Sequence, residues 1–128
     1  LLKIDLNKAP DIAQTIAVTS FGLGISCNLD GLHTLKIKET DRLEALQKEL
    51  SKLGATISVT DDSLDLKASS KINSNISIET YNDHRMAMAF TPLAIKTPIQ
   101  ILDAGVVTKS YRNFWEDMQQ IGFQFNKL

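Results

Sequence analysis

The chain predicts an α/β fold of the α+β kind: repeated βαβαββ units with helices buried inside and mixed sheets outside. Three observations lead there. Short runs alternate apolar with polar residues and longer ones repeat apolar residues every three or four positions, the periods of half-buried strands and of helices. Two of the helical runs, one beginning at Ile12 and one at Met86, are apolar around most of their circumference, the mark of helices packed on every side. The pattern also recurs: Asp11 and its helix match Asp83 and its helix, while Lys38 with a helix ending at Gly54 matches Lys109 with a helix ending at Gly122. The offset is about 70 residues, one βαβαββ unit, and such units bury their faces against neighbours. Residues 1–54 are therefore expected to be the truncated end of one unit and 55–128 most of the next.

Taken in order, Leu2, Ile4 and Leu6 alternate with Lys3 and Asp5 as a half-buried strand does. Pro10 and Asp11 open a helix, because Pro suits the first turn and Asp complements the dipole; Gly22 and Gly24 end it. Ile25 to Leu29 reads as a strand, and Leu35 to Lys38 as a short one. Asp41 and Glu44 have the spacing of an N-cap and its reciprocal partner, and Leu43, Leu46, Leu50 and Leu53 form the apolar stripe of the helix that follows. A hairpin is expected over 55–68, turning at Asp61-Asp62, then a loop to Asn75 and a strand over 76–79. Asp83 caps a helix running to Ile95. A strand over 98–102, an amphipathic helix from Tyr111 to Ile121 and a strand over 123–125 complete the prediction.

Composition narrows the function. A net charge of −1 argues against broad binding to nucleic acid or to an anionic membrane, so any anion site must be a local cluster. The single Cys27 excludes an internal disulfide and offers no metal-site spacing, which points to a reducing, cytoplasmic setting. No apolar run reaches the roughly 18 residues of a membrane span. The chain starts without Met, inside what reads as a strand, which suggests a fragment whose upstream part is a missing partner.

The chemistry-bearing residues sit at junctions into helices: Lys38, Glu39 and Arg42 at one, His84 and Arg85 at a second, Lys109 at a third. A cation at a helix start opposes the dipole by about 0.3–1 kcal/mol. Two cations about 8 Å apart repel by roughly 1–2 kcal/mol at an effective dielectric near 20–40. Equivalent junctions of a repeat can converge, and convergence calls for something negative between them. Any one of these cations alone reads as a solvated residue, and Asp83 alone as a helix cap.

Two runs, Lys38-Glu39-Thr40-Asp41-Arg42-Leu43 and Tyr81-Asn82-Asp83-His84-Arg85-Met86-Ala87-Met88, closely resemble signatures of the 3-phosphoshikimate 1-carboxyvinyltransferase (EPSP synthase) family. Pro10-Asp11-Ile12-Ala13 and Lys109-Ser110-Tyr111 with Phe114-Trp115 add to the likeness, which runs along essentially the whole chain and corresponds to the C-terminal third of such enzymes. The resemblance implies part of one domain of the two-domain enolpyruvyl transferase fold. It implies transfer of the enolpyruvyl group of phosphoenolpyruvate to the 5-hydroxyl of shikimate 3-phosphate, without metal or organic cofactor. It also implies roles. Asp11 would be the base toward the attacking hydroxyl, Lys38 would lie by the acceptor and the reacting centre, and Glu39 would move the proton at the methylene carbon. Arg42 and Arg85 would grip the phosphoenolpyruvate carboxylate, with Lys109 on its phosphate and His84 close by. Thr34 stands where many members carry an Asn that touches shikimate 3-phosphate, and Arg112 where the common pattern has Pro.

With the other wall of the cleft on missing sequence, the segment alone is expected to be inactive. Two alternatives stay open: the sister enzyme that uses UDP-N-acetylglucosamine, which the two long runs fit poorly, and a non-catalytic anion-binding domain of the same fold.

Overall fold

The computed structural model describes residues 1–127, so Leu128, the end of the second expected unit, lies outside the described residues. Strand β1 (Leu2–Asp5) leads through a 3-10 turn, Pro10–Ile12, into helix α1 (Ala13–Leu23) and returns as β2 (Cys27–Asp30). Helix α2 (Arg42–Lys52) then precedes the hairpin β3 (Ile57–Val59) and β4 (Leu64–Leu66). These four strands form one mixed sheet in the order β1-β2-β4-β3, with β1 parallel to β2 and the hairpin antiparallel. A second sheet pairs β5 (Ile76–Ile78) in parallel with β6 (Ile99–Ile101). Helix α3 (His84–Phe90) lies between its strands in sequence, and α4 (Phe114–Gln120) follows.

The register explains where the core lies. Cys27 faces Leu66 and Leu29 faces Leu64 across β2 and β4, and all four side chains are buried. They join Leu43, Leu46 and Leu50 of α2, Ala17 and Phe21 of α1, and Met86 and Phe90 of α3 in one cluster. Helix α1 packs directly on α3, so the two most apolar helices meet inside.

The unit boundary differs from the expected one. The hairpin assigned to the start of the second unit is hydrogen-bonded into the first sheet, so one βαβαββ run spans 2–66. Gly54 only ends α2; the chain leaves the first sheet after Leu66. Proximity in sequence hid this, because the edge that β4 pairs with is β2, well upstream.

Local geometry also departs at four places. Leu35 to Lys38 is no strand but part of a 3-10 turn, His33–Ile37, whose Leu35 N–H bonds to Leu32 O. Leu32 and Leu35 are both buried, a spacing of three that suits the 3-10 period. Helix α3 stops at Phe90 rather than Ile95, because Pro92 lacks the N–H that an α-helix needs and a 3-10 turn, Thr91–Ile95, takes over. Helix α4 begins at Phe114, with Tyr111 stacked edge-on against its ring. Residues 123–125 form no strand; Phe125 instead meets Trp115 edge-to-face at 5.1 Å.

One glycine shapes the approach to the site. Gly31, just past β2, has φ +76°, and a Cβ there would fall 2.5 Å from Asn7 N. That close approach lets the segment leading to Pro10 and Asp11 cross over the end of β2.

Candidate active site

Three segments distant in sequence meet at Arg42. Its side chain is only 2% exposed and its partner Asp83 is 0% exposed. Nε donates to Asp83 Oδ2 at 2.8 Å and Nη2 to Asp83 Oδ1 at 3.3 Å, a two-pronged pairing that matches the planar fork of guanidinium to carboxylate. Nη1 donates to Asp11 Oδ1 at 3.1 Å, and Nη2 also donates to Glu39 Oε2. Of the five N–H donors of an arginine, one on Nη1 is left without a protein partner among the described residues.

The elements explain this meeting. Asp41 caps α2 by accepting from Glu44 N–H at 3.1 Å, which starts the helix one residue before Arg42. Asp83 caps α3 by accepting from Arg85 N–H at 2.9 Å while also holding Arg42. The Pro10–Ile12 turn brings Asp11 in from the first crossover. Around this centre, Lys38 Nζ lies 3.7 Å from Asp11 Oδ1, and His84 Nδ1 lies 3.8 Å from Glu39 Oε2. Arg85 Nη1 donates to the backbone O of Asp11 at 3.2 Å.

The charge balance differs from the sequence expectation. The cations converge, but carboxylates of the same chain answer Arg42: Asp83, Asp11 and Glu39. Arg85 has no carboxylate partner among the described residues, so it carries the uncompensated positive charge with most of its fork free. Asp11 and Glu39 each touch the cations through one oxygen only. Asp11 Oδ2 and Glu39 Oε1 make no hydrogen bond or ion pair among the described residues. Each carboxylate is thus held by one oxygen and presents the other. Glu39, Asp83 and His84 lie close enough to ligate a metal, yet Arg42 already occupies Glu39 Oε2 and both Asp83 oxygens.

Six expected residues therefore come together: Asp11, Lys38, Glu39, Arg42, His84 and Arg85. Thr34 does not join them; its hydroxyl is buried in the 3-10 turn without a hydrogen-bond partner. Lys109 is exposed beyond a fourth 3-10 turn, Ala104–Val107, which packs on α3. Lys38 and Lys109 thus each follow a 3-10 turn that precedes a helix. Asp83 was legible only as a cap, and its buried pairing with Arg42 needed the tertiary structure. Gln14, buried with both polar atoms unpartnered one turn beyond Asp11, carried no signal in sequence. A groove of about 1360 Å³ along β6 and the C-terminal residues contains none of the clustered residues.

The cap of α2 allows a pH test. Burial works to raise the Asp41 carboxyl, but its bonds to Lys36 and to Glu44 N–H outweigh that and hold it below the usual carboxylate range. A carboxyl lowered on folding contributes stability above its unfolded pKa and loses it as pH falls through the folded one. Asp41→Ala is expected to lower the free energy of unfolding by about 0.5–2 kcal/mol at neutral pH. Urea unfolding should show that gap closing below about pH 4; a gap of constant size would contradict the assignment.

Comparison with known proteins agrees with this architecture. The sequence model of the family described as EPSP synthase (3-phosphoshikimate 1-carboxyvinyltransferase) matches residues 1–118. A 3-phosphoshikimate 1-carboxyvinyltransferase of Bacteroides fragilis is 45% identical over 122 residues, covering 93% of this chain and 30% of that protein. One from Salmonella arizonae is 37% identical over 121 residues, covering 94% of this chain and 28% of that protein. The chain thus spans about 30% of the length of the curated relatives it matches. The solved structure of an EPSP synthase from Acinetobacter baumannii superposes with a TM-score of 0.81 at 24% identity, over 94% of this chain and 30% of that one, and shares its fold. With nearly its whole length inside one family's pattern, the chain belongs to the EPSP synthase family.

Proposed function

We propose that this chain forms one wall of an active site that transfers the enolpyruvyl group of phosphoenolpyruvate to the 5-hydroxyl of shikimate 3-phosphate, releasing phosphate. The observation that carries the reading is the cluster around Arg42. Two carboxylates are fixed there by one oxygen each, beside Arg85 with most of its fork free. The relatives' name, 3-phosphoshikimate 1-carboxyvinyltransferase, supports this reading.

In this reading the acceptor hydroxyl gives its proton to Asp11 Oδ2 as its oxygen bonds to the enol carbon, and the methylene carbon takes a proton from Glu39. The adduct's methyl carbon then returns a proton to Glu39 as the carbon–oxygen bond to phosphate breaks, and the departing phosphate takes up the proton held by Asp11. Positioned carboxylates suit such proton transfers. Lys38 lies by the acceptor, and Thr34 stays a proposed acceptor contact through its unpartnered hydroxyl. Arg85 and the remaining Nη1 hydrogen of Arg42 take the phosphoenolpyruvate carboxylate, while Lys109 and His84 meet its phosphate, stabilising the charge that develops on it. The site needs no metal or organic cofactor, and its reaction belongs to aromatic amino acid biosynthesis in the cytoplasm. No helix among the described residues is long and apolar enough to cross a membrane.

For the domain division this reading takes 2–66 as one repeat unit and the residues from β5 on as part of the next, in place of the expected division after residue 54. The remaining cleft wall comes from an N-terminal part of the same enzyme. Phosphate release that requires both substrates, measured on the full-length protein, is expected, with UDP-N-acetylglucosamine failing to replace shikimate 3-phosphate. The segment alone is expected to show no turnover. Release supported by UDP-N-acetylglucosamine would favour the sister activity, and release from neither acceptor would favour a non-catalytic anion-binding domain.

A further inference from the structure

The residue pair in front of Asp83 is the most strained piece of backbone near the cluster. Tyr81 and Asn82 both have φ +54°. Among the described non-glycine residues with positive φ, the others are Asn75 and Asp103, of types that tolerate the left-handed region; Tyr81 is bulky and does not. Such a conformation persists only where its surroundings over-determine it. Here they do. Asp83 N–H donates to Thr80 O at 2.8 Å and closes the turn, and the Thr80 hydroxyl donates to Leu102 O at 3.0 Å.

The remaining stitches come from one side chain. Glu49 is 1% exposed. Its Oε1 accepts from Glu79 N–H at 3.0 Å and its Oε2 accepts from the Tyr81 hydroxyl at 2.6 Å. Lys52 Nζ, 2.5 Å from Glu49 Oε1, balances the buried charge and also donates to Ser77 O at 2.7 Å. Burial and the bond to Glu49 push the Tyr81 hydroxyl well above the ordinary phenol range, so it remains a donor. Glu49 lies seven residues after Arg42 on α2, two turns along the same face, about 10 Å on. The helix therefore holds the segment 79–83 at two points: Arg42 grips Asp83, and Glu49 grips the turn that delivers it.

We propose that Glu49 is a positioning residue for the candidate site, clamping the strained Tyr81–Asn82 turn and so setting Asp83 against Arg42 and Arg85 for phosphoenolpyruvate. The substrate part of this inference rests on the enolpyruvyl-transfer reading; the clamp itself does not. Tyr81→Phe removes one hydroxyl, and Glu49→Gln keeps the shape but not the charge. In the full-length protein both are expected to raise amide exchange at Asp83 and Met86 about tenfold, the effect of one net hydrogen bond. Both are also expected to raise the KM for phosphoenolpyruvate about tenfold, with the KM for shikimate 3-phosphate within about twofold of wild type. Unchanged exchange in both variants overturns the clamp. Raised exchange with an unchanged KM for phosphoenolpyruvate, or with both KM values raised alike, overturns the positioning role. A wild type without turnover overturns the enolpyruvyl-transfer reading instead, and the exchange rates then decide the clamp alone.

Discussion

Replacing Arg42 by methionine is expected to lower the free energy of unfolding by about 3–5 kcal/mol, the cost of leaving one partner of a buried ion pair alone. The size follows from Asp83, which is fully buried and loses both guanidinium bonds, keeping the Arg85 N–H as its hydrogen bond and His84 Nδ1 3.9 Å away. Asp11 and Glu39 contribute less to the loss, because both are partly open to water and can be solvated. Arg42→Lys should recover only part of it, since a point charge cannot bridge three carboxylates from one planar fork. Urea unfolding of the two variants measures both effects. A loss under about 1 kcal/mol, the size of an exposed pair, would mean that the cluster is held together from elsewhere. In the catalytic reading, Arg42→Met should also weaken phosphoenolpyruvate use, because its carboxylate loses the remaining Nη1 hydrogen while Glu39 and Asp11 lose the contact that orients them.

Asp11→Asn and Glu39→Gln are expected to behave the opposite way: nearly normal stability and a fall in turnover of about 10²–10⁴-fold, the usual contribution of a positioned acid or base. Their side chains are 41% and 43% exposed, so neither neutral amide is left buried. Each amide keeps an oxygen that can accept from Arg42, while the free position can no longer take a proton. Steady-state phosphate release by the full-length protein checks this. Turnover near wild type in both variants would support a non-catalytic anion-binding domain. A loss in Glu39→Gln alone would remove Asp11 from proton transfer.

Much of this molecule could be read one residue at a time. The stripe of Leu43, Leu46 and Leu50, the cap at Asp41 and the glycine stop at Gly54 describe α2 with no knowledge of its neighbours. That is because capping and amphipathic period are local properties. The two apolar helices announced that they would lie in the interior; that α1 packs on α3 there was added by the structure. Misreadings came where the local signal was short. The run from Leu35 to Lys38 is too brief for its period to tell a strand from a 3-10 turn, and the strand expected over 123–125 finds no edge among the described residues.

The site divides along the same line. Sequence alone determined that Lys38, Glu39, Arg42, His84, Arg85 and Lys109 stand at helix junctions, and the family resemblance added Asp11 and Thr34 to the ones to watch. Only the tertiary structure decided what they are to one another. It set the buried Asp83 opposite Arg42, so that the arginine is answered by the protein's own carboxylates while Arg85 is left open. It also gave Glu49 its grip on a strained turn that begins 32 residues away, which no pattern in α2 distinguishes from an ordinary helix glutamate. Electrostatic partnership and burial depend on distances across the fold, and those exist only once distant segments have been brought together.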